Sequence, residues 1–443
     1  MDDGAGGFGS RLRACRTSSG LSQQELAERS GLSIRAISKL ECGWTRWPYP
    51  GSVDRLADAL GLRDAERTEF MVTAGRRLGH GTVPARPPAG NLYVPRLLPA
   101  LIPAFVGRAS ELATLSRMLD EPGRTTLITA ITGTAAVGKT ALAVHWAHRF
   151  ASDFPDGQLF VNLRGFGPSG PPLTQADAAQ VFLDALGVPA DRLPATVAAQ
   201  LGLYRSLLVG KRMLIVLDNA RDAAQVRPLL PGSPTCRVIV TSRDQLPGLT
   251  ATEAARPLTV NALPDPEARQ LLARRLGPAR LAADPHAADQ IIASCAGLPL
   301  ALGIVAARAE LRPDLPLSRL AADVAVQPTL DAFTDMADPA ADIRAVFSWS
   351  YQQLDGETAR TFRLVGLHSG AEIDPCSVAV LTGASQELAG RTLDALARVS
   401  LLQVAGQERY RMNNLLRTYA REQAELSGLH LAVNKPQAAL NRH

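Results

Sequence analysis

The segment Thr125–His148, TTLITAITGTAAVGKTALAVHWAH, decides how this chain is read. Thr126 to Ile131 is apolar and β-branched, the composition of a short buried strand. The loop Gly133-Thr134-Ala135-Ala136-Val137-Gly138-Lys139-Thr140 follows, and Ala141, Leu142, Val144 and Trp146 then open an apolar helix. A strand, Gly-x-x-x-x-Gly-Lys-Thr and a helix, in that order, make a phosphate-binding loop in the context it requires. Backbone N–H groups of the loop and helix N-terminus surround an anion, and the helix dipole favours its charge. Lys139 is placed to give a point charge to β- and γ-phosphates, and Thr140 a hydroxyl to Mg²⁺. Gly133 and Gly138 are expected to keep side chains out of the phosphate's way.

The bulk properties bound the rest. A length of 443 residues and 46% hydrophobic content suggest two to four domains with real cores. No uninterrupted apolar run spans a bilayer and the N-terminus MDDGAGGFGS is acidic, so the expectation is a cytoplasmic protein with no membrane partner. Five scattered cysteines, none in a C-x-x-C pair, argue for reduced thiols and against a zinc site. The net charge of +5 is a mild excess that permits an acidic partner such as DNA.

Before the loop, residues 8–75 have the pattern of short packed helices. Ser22-Gln23-Gln24-Glu25 is a capping box opening a second helix; Gly31-Leu32 turns, and Ser33 caps a third. Ile34, Ile37 and Leu40 are expected on the inner face of that third helix, with Arg35 and Lys39 outward, one turn apart. Two helices across a short Gly turn form a helix-turn-helix, whose second helix can enter the major groove of double-stranded DNA. Ser33, Arg35, Ala36 and Lys39 are the candidate DNA contacts. LSQQELAERSGLSIRAISKLECG resembles the Cro/xenobiotic-response-element repressor family. Where related regulators carry an arginine-rich turn, GWTRWPYPGS leaves Arg46 among Trp44, Trp47 and Tyr49. Residues 1–80 hold 12 basic against 10 acidic side chains, so the affinity of a single unit for phosphates should be modest. A helix-turn-helix used only for protein contact stays open.

Prolines 84, 87, 88, 95, 99 and 103 mark residues 79–104 as a linker. Beyond the loop, strands are expected at 157–163, 212–220 ending in Asp218, 236–244 ending in Arg243, and 256–260, with helices near 174–186 and 196–209. Alternating strand and helix give a parallel sheet whose ligands bind at the strands' carboxyl ends, where Lys139, Asp218 and Arg243 fall. Residues 263–330 read helical. From Asp342 onward, helices precede a hairpin turning near Gly406, which favours a winged helix over plain helical packing. The domains are therefore 1–78 helix-turn-helix, 79–104 linker, 105–262 P-loop α/β, 263–335 helical, 336–426 winged helix and 427–443 tail: a multidomain α and α/β chain.

FVGR, GTAAVGKTALAVHWAH, FPDGQLFVNLRGF, RMLIVLDNARDAAQVRPLLPGSP, VIVTSR, GLPLAL and RYRMNNLLRTYA together resemble the NB-ARC subgroup of STAND NTPases. Joined to an XRE-type helix-turn-helix, that arrangement is similar to actinomycete transcriptional regulators, among them regulators of secondary metabolism. The resemblance implies ATP and ADP as ligands. Val106, Gly107 and Arg108 would border the adenine; Lys139 and Thr140 would hold phosphate and Mg²⁺, with Asp218 holding the metal through water. Arg243 would sense the γ-phosphate, making it and Asp218 the candidate catalytic pair, and Pro299 would pack near the base. Asn413 stands where the family's His reaches the ADP phosphate. Structural alternatives remain: Asp218 and Asn413 as helix caps, Arg243 in an ion pair, Pro299 shaping a helix start. Ala109 replaces a usual Glu, Ala136 a common loop glycine, and Asn413-Asn414 the usual His-Asp.

The expected function is a nucleotide-switched transcriptional regulator, closed with ADP and self-associating with ATP, so that several helix-turn-helix units meet DNA together. Asn219 follows Asp218 where an acid would act as general base, so hydrolysis should be slow. No 34-residue internal period follows, and a separate sensor protein is a possible further partner. The rival readings are an NTP-driven enzyme, and an NTP-dependent signalling or defence scaffold whose N-terminal module binds protein.

Overall fold

The structure, a computed structural model, describes residues 8–42, 50–74, 94–120, 127–167, 170–325, 329–334 and 338–429. Trp44, Arg46, Trp47, Tyr49 and most of the tail lie outside them, as does the Arg35 side chain. The chain divides into two compact units, Met1–Asn91 and Leu92–His443.

Among its described residues the first unit holds five helices: α1 (Phe8–Ser18), α2 (Gln23–Ser30), α3 (Ile34–Glu41), α4 (Pro50–Ala59) and α5 (Asp64–Ala74). Leu12, Leu26, Ile37, Leu56 and Phe70 are fully buried at its centre. The Ser22–Glu25 capping box is complete, and Gly31 ends α2 in the left-handed conformation. The Ser33 hydroxyl accepts from the Ala36 N–H at 3.2 Å. Each such cap contributes about 1 kcal/mol. Arg16 of α1 donates to both carboxylate oxygens of Glu41 in α3, and Gln23 of α2 donates to the same carboxylate, tying three helices together. Ile34 departs from its expected place: 48% of it is exposed, while Ile37 and Leu40 are buried. At the first helical position it lies about 120° around the helix from Leu40, off the buried stripe.

The second unit opens with α6 (Ala109–Asp120), β1 (Leu127–Thr132), α7 (Lys139–Arg149) and β2 (Gln158–Asn162). It continues with α8 (Gln175–Ala185), α9 (Val197–Leu208), β3 (Leu214–Ala220), α10 (Ala223–Val226), β4 (Arg237–Ser242), α11 (Pro247–Glu253) and β5 (Arg256–Thr259). All five strands are parallel, in the order β2-β3-β4-β1-β5. Side chains alternate between two cores: Leu214, Val216 and Ile239 face one side, Ile215, Leu217, Val238 and Val240 the other. That period of two is what helices on both faces demand. β3 runs past Asp218 to Ala220 with a register shift after Leu217, and β4 stops at Ser242, one residue before Arg243. The end of the proline-rich segment also differs from a free linker. Gln158 donates its N–H to Pro95, Leu97 donates to Gln158, and Arg96 bridges the sheet edge beside β2.

Five helices follow: α12 (Asp265–Leu276), α13 (Pro278–Ala283), α14 (Pro285–Ser294), α15 (Pro299–Leu311) and α16 (Leu317–Ala325). Last come α17 (Ile343–Tyr351), α18 (Gly356–Leu367), β6 (Glu372–Ile373), α19 (Pro375–Thr382), α20 (Gln386–Arg398), β7 (Gln403–Gly406), β8 (Arg409–Arg411) and α21 (Asn414–Leu426). β6, β8 and β7 form a small antiparallel sheet; β6, only two residues long, had no sequence signal. Asp374 caps α19 through Ser377, with Pro375 at its first position, as the Asp-Pro pair predicts. Among the described residues no helix is long and apolar enough to cross a membrane.

Candidate functional site

A cleft of about 1170 Å³ opens at the carboxyl edge of the five-stranded sheet. Lys139, Thr140, Gly138, Asp218, Arg243 and Pro299 line it, together with Val106 and Arg108 from the segment before α6. Eight sequence candidates thus meet in one place, although they span nearly 200 positions.

β1 delivers the loop and α7 begins at Lys139. The Lys139 ammonium folds back on the loop, donating to the carbonyls of Gly133 and Thr134 at 2.7 and 2.8 Å. Burial, reinforced by the nearby Arg243 charge and opposed by Asp218, pushes its pKa down to about 7. Asp218 is 3% exposed, and a single oxygen, Oδ1, accepts from Thr140 at 2.7 Å and from Thr241 at 2.6 Å. Burial raises the Asp218 carboxyl above its ordinary range, against the bonds from Thr241 and Thr140 and the charge of Lys139. Thr241 was not singled out in the sequence, yet its place beside Asp218 follows from the pairing of β3 with β4.

Arg243 is buried and commits itself to α17, donating to the Val346 carbonyl at 2.6 Å and the Ser350 hydroxyl at 2.8 Å. Its guanidinium lies over the rings of Phe166 and Trp349, 5.0 and 5.5 Å from their centroids. Burial pushes its pKa down to about 9. Further bonds join the sheet edge to the last helices. Thr134 donates to the Ser400 carbonyl at 3.0 Å and the Ser400 hydroxyl to the Arg243 carbonyl at 2.8 Å. Asp244 pairs with Arg398 at 3.0 Å, and Gln353 donates to the Gly165 carbonyl at 3.0 Å. No pattern in the sequence linked these partners, because they meet only through tertiary packing.

Three candidates stand off the cleft lining. Gly107 packs against Glu267: a β-carbon there would fall 2.1 Å from its carboxylate. Gly133 answers a different demand from the expected one, since a β-carbon would fall 2.3 Å from the Val260 carbonyl behind the loop. Asn413 caps α21, accepting from the Leu415 N–H at 3.0 Å, and donates its amide to the Ala296 carbonyl at 3.2 Å, just before α15. Met412, Leu415 and Leu416 around it are buried. Arg108 is an internal tie, donating to the carbonyls of Val137 and Asn261 and to Glu111. In the first unit Ser33 and Lys39 are exposed on α3, with Ala36 partly buried between them.

The helix-turn-helix domain family matches residues 8–70. The regulatory protein AfsR of Streptomyces griseus is 38% identical over 378 residues, covering 84% of this chain and 38% of that protein. The regulatory protein AfsR of Streptomyces coelicolor is 38% identical over 337 residues, covering 75% of this chain and 33% of its own length. The chain therefore spans well under half of these relatives. A Walker-type ATPase of Pyrococcus abyssi superposes with a TM-score of 0.49 at 13% identity, over 72% of this chain and 96% of that one. The chain joins a helix-turn-helix domain to a P-loop NTPase-type α/β domain, and most of it is similar in sequence to one part of the AfsR regulatory proteins.

Proposed function

We propose that the chain is a cytoplasmic transcriptional regulator of the NB-ARC type, binding DNA through α3 and switched by exchange of ADP for ATP. One observation carries the reading: the buried cations Lys139 and Arg243 line the cleft where α7 begins, together with the buried carboxylate of Asp218. Buried charge without compensation is costly, and a di- or triphosphate at the helix N-terminus supplies it. Thr140 and Asp218, with oxygens 2.7 Å apart, are a donor set suited to Mg²⁺, which takes one or two protein oxygens and completes its shell with phosphates and water. The ion would neutralise phosphate charge; the chain's own residues orient the nucleotide and hold the last helices against it.

The reading of residues 336–426 as a winged helix is part of this proposal, and the bonds from Arg243, Thr134 and Gln353 support assigning this arrangement to the closed form. ATP would favour an open form in which several chains assemble, each adding one α3 to the DNA contact. On α3, Ser33, Arg35, Ala36 and Lys39 would meet the DNA. The exposed Ile34 beside them suits contact with a thymine methyl group. Control of secondary metabolism, association in the ATP state and a separate sensor protein belong to the same proposal.

The test is selection of sheared genomic DNA from the encoding organism by the chain and by a variant with Arg35 and Lys39 both changed to Ala. Enrichment of discrete sites that the variant loses supports the proposal. No enrichment by the unaltered chain under any nucleotide would favour a protein-recruiting scaffold.

A further inference from the structure

The loop after β2 carries a cation that the proposed switch does not yet use. β2 ends at Asn162, the register partner of Asp218. Two residues further on, Arg164 lines the cleft, exposed and in the left-handed conformation with φ 52°. Its N–H donates to the Asn162 side chain at 2.8 Å, which fixes the turn. A left-handed arginine is unfavourable and persists only where its surroundings hold it.

The other arginines of the cleft are engaged. Arg108 is tied to Val137 and Asn261, and Arg243 to Val346 and Ser350. Arg275 bonds Glu310 and Gly303, and Arg308 bonds the Thr334 carbonyl. Among the described residues, the guanidinium of Arg164 alone of these five has no partner. β2 lies three strand spacings from β1, about 14 Å, so Arg164 stands on the far side of Asp218 from the phosphate loop. With either nucleotide held by the loop, a triphosphate would extend one phosphate further than a diphosphate toward that side.

The same loop touches the closed contacts. Gly165 donates to the Asn219 carbonyl at 2.7 Å and accepts from Gln353, Asn219 donates to the Phe166 carbonyl at 2.7 Å, and the Phe166 ring faces Arg243. We propose that Arg164 binds the terminal phosphate of a nucleoside triphosphate, so that it distinguishes ATP from ADP, and that its loop carries that contact to the Arg243 site through Phe166. This rests on the nucleotide-binding reading above.

The experiment is calorimetry of the full chain, R164A and R164K with ADP and with the non-hydrolysable analogue AMP-PNP, each with Mg²⁺. Alanine keeps the same left-handed demand on the backbone, so the fold is retained. R164A is expected to bind ADP within twofold of the unaltered chain and AMP-PNP about tenfold more weakly, the scale of one lost charge-assisted bond. R164K should recover part of that loss. Affinities for both nucleotides within twofold of the unaltered chain, or equal losses for both, overturn this inference alone. No nucleotide binding by the unaltered chain overturns the nucleotide reading and this inference with it.

Discussion

The guanidinium of Arg243 and the hydroxyl of Ser350, 107 residues apart in sequence, are joined by a buried 2.8 Å hydrogen bond. This bond ties the end of the sheet strand β4 to α17. Ser350→Ala leaves a buried cation with one acceptor fewer, and bonds to charged groups contribute about 1.5–3 kcal/mol. Amide hydrogen exchange in α17 and in the loop after β2 should accelerate accordingly. Exchange unchanged in both segments would show that the bond does not hold the closed arrangement.

Lys139→Ala removes the cation that faces the proposed phosphates. It also removes a charge whose burial already disfavours it, as the pKa near 7 indicates. The variant should therefore lose ATP and ADP binding by calorimetry while its nucleotide-free unfolding midpoint stays the same or rises. Retained binding would end the phosphate-loop reading.

Ala136 sits in the loop with φ 66°, a conformation that costs an L-residue about 1 kcal/mol and glycine almost nothing. Ala136→Gly should raise the thermal midpoint of the second unit, since relief of strain outweighs the added freedom of the unfolded chain. A lower midpoint would mean that the methyl group packs favourably there and that this balance is reversed.

Glu41 links acid stability to the helix-turn-helix unit. Burial acts to raise its carboxyl, but the bonds from Arg16 and Gln23 and the charges of Arg16 and Arg13 outweigh it, and the net shift is downward. A carboxyl lowered in the folded state stabilises above its unfolded pKa, about 4.3, and that contribution is lost as pH falls through the folded value. Glu41→Gln should cost about 2 kcal/mol at pH 7, measured by hydrogen exchange in α1 to α3, with the difference shrinking as the solution is acidified below pH 4. A difference that stays constant with pH would contradict the pairing.

The phosphate loop, the five parallel strands and the caps of α2, α3 and α19 were legible because each rests on a local rule of spacing or capping. Asp218 could be placed because one buried apolar strand ends near it. The partners of Arg243 were not legible: Ser350 and Trp349 lie in a helix whose sequence carries no signal of what it faces. Ile34 was misplaced because the inward stripe was extended one position beyond the turn that packs. Asn413 was open between two roles, and the bonds to Leu415 and Ala296 use both ends of its amide. Arg164 escaped notice because it falls just beyond the strand expected at 157–163, and its lack of a partner emerges only from the surrounding contacts.

In the proposed switch, nucleotide sets the strength of DNA binding. The most direct test is the affinity of the full chain for its selected genomic fragments, measured at one fixed salt concentration with ADP·Mg²⁺ and with AMP-PNP·Mg²⁺. Binding is expected to be at least about tenfold tighter with AMP-PNP, in larger assemblies, equivalent to about 1.4 kcal/mol of coupling between the two sites. Equal affinity with the two nucleotides, each present at saturation, would contradict it.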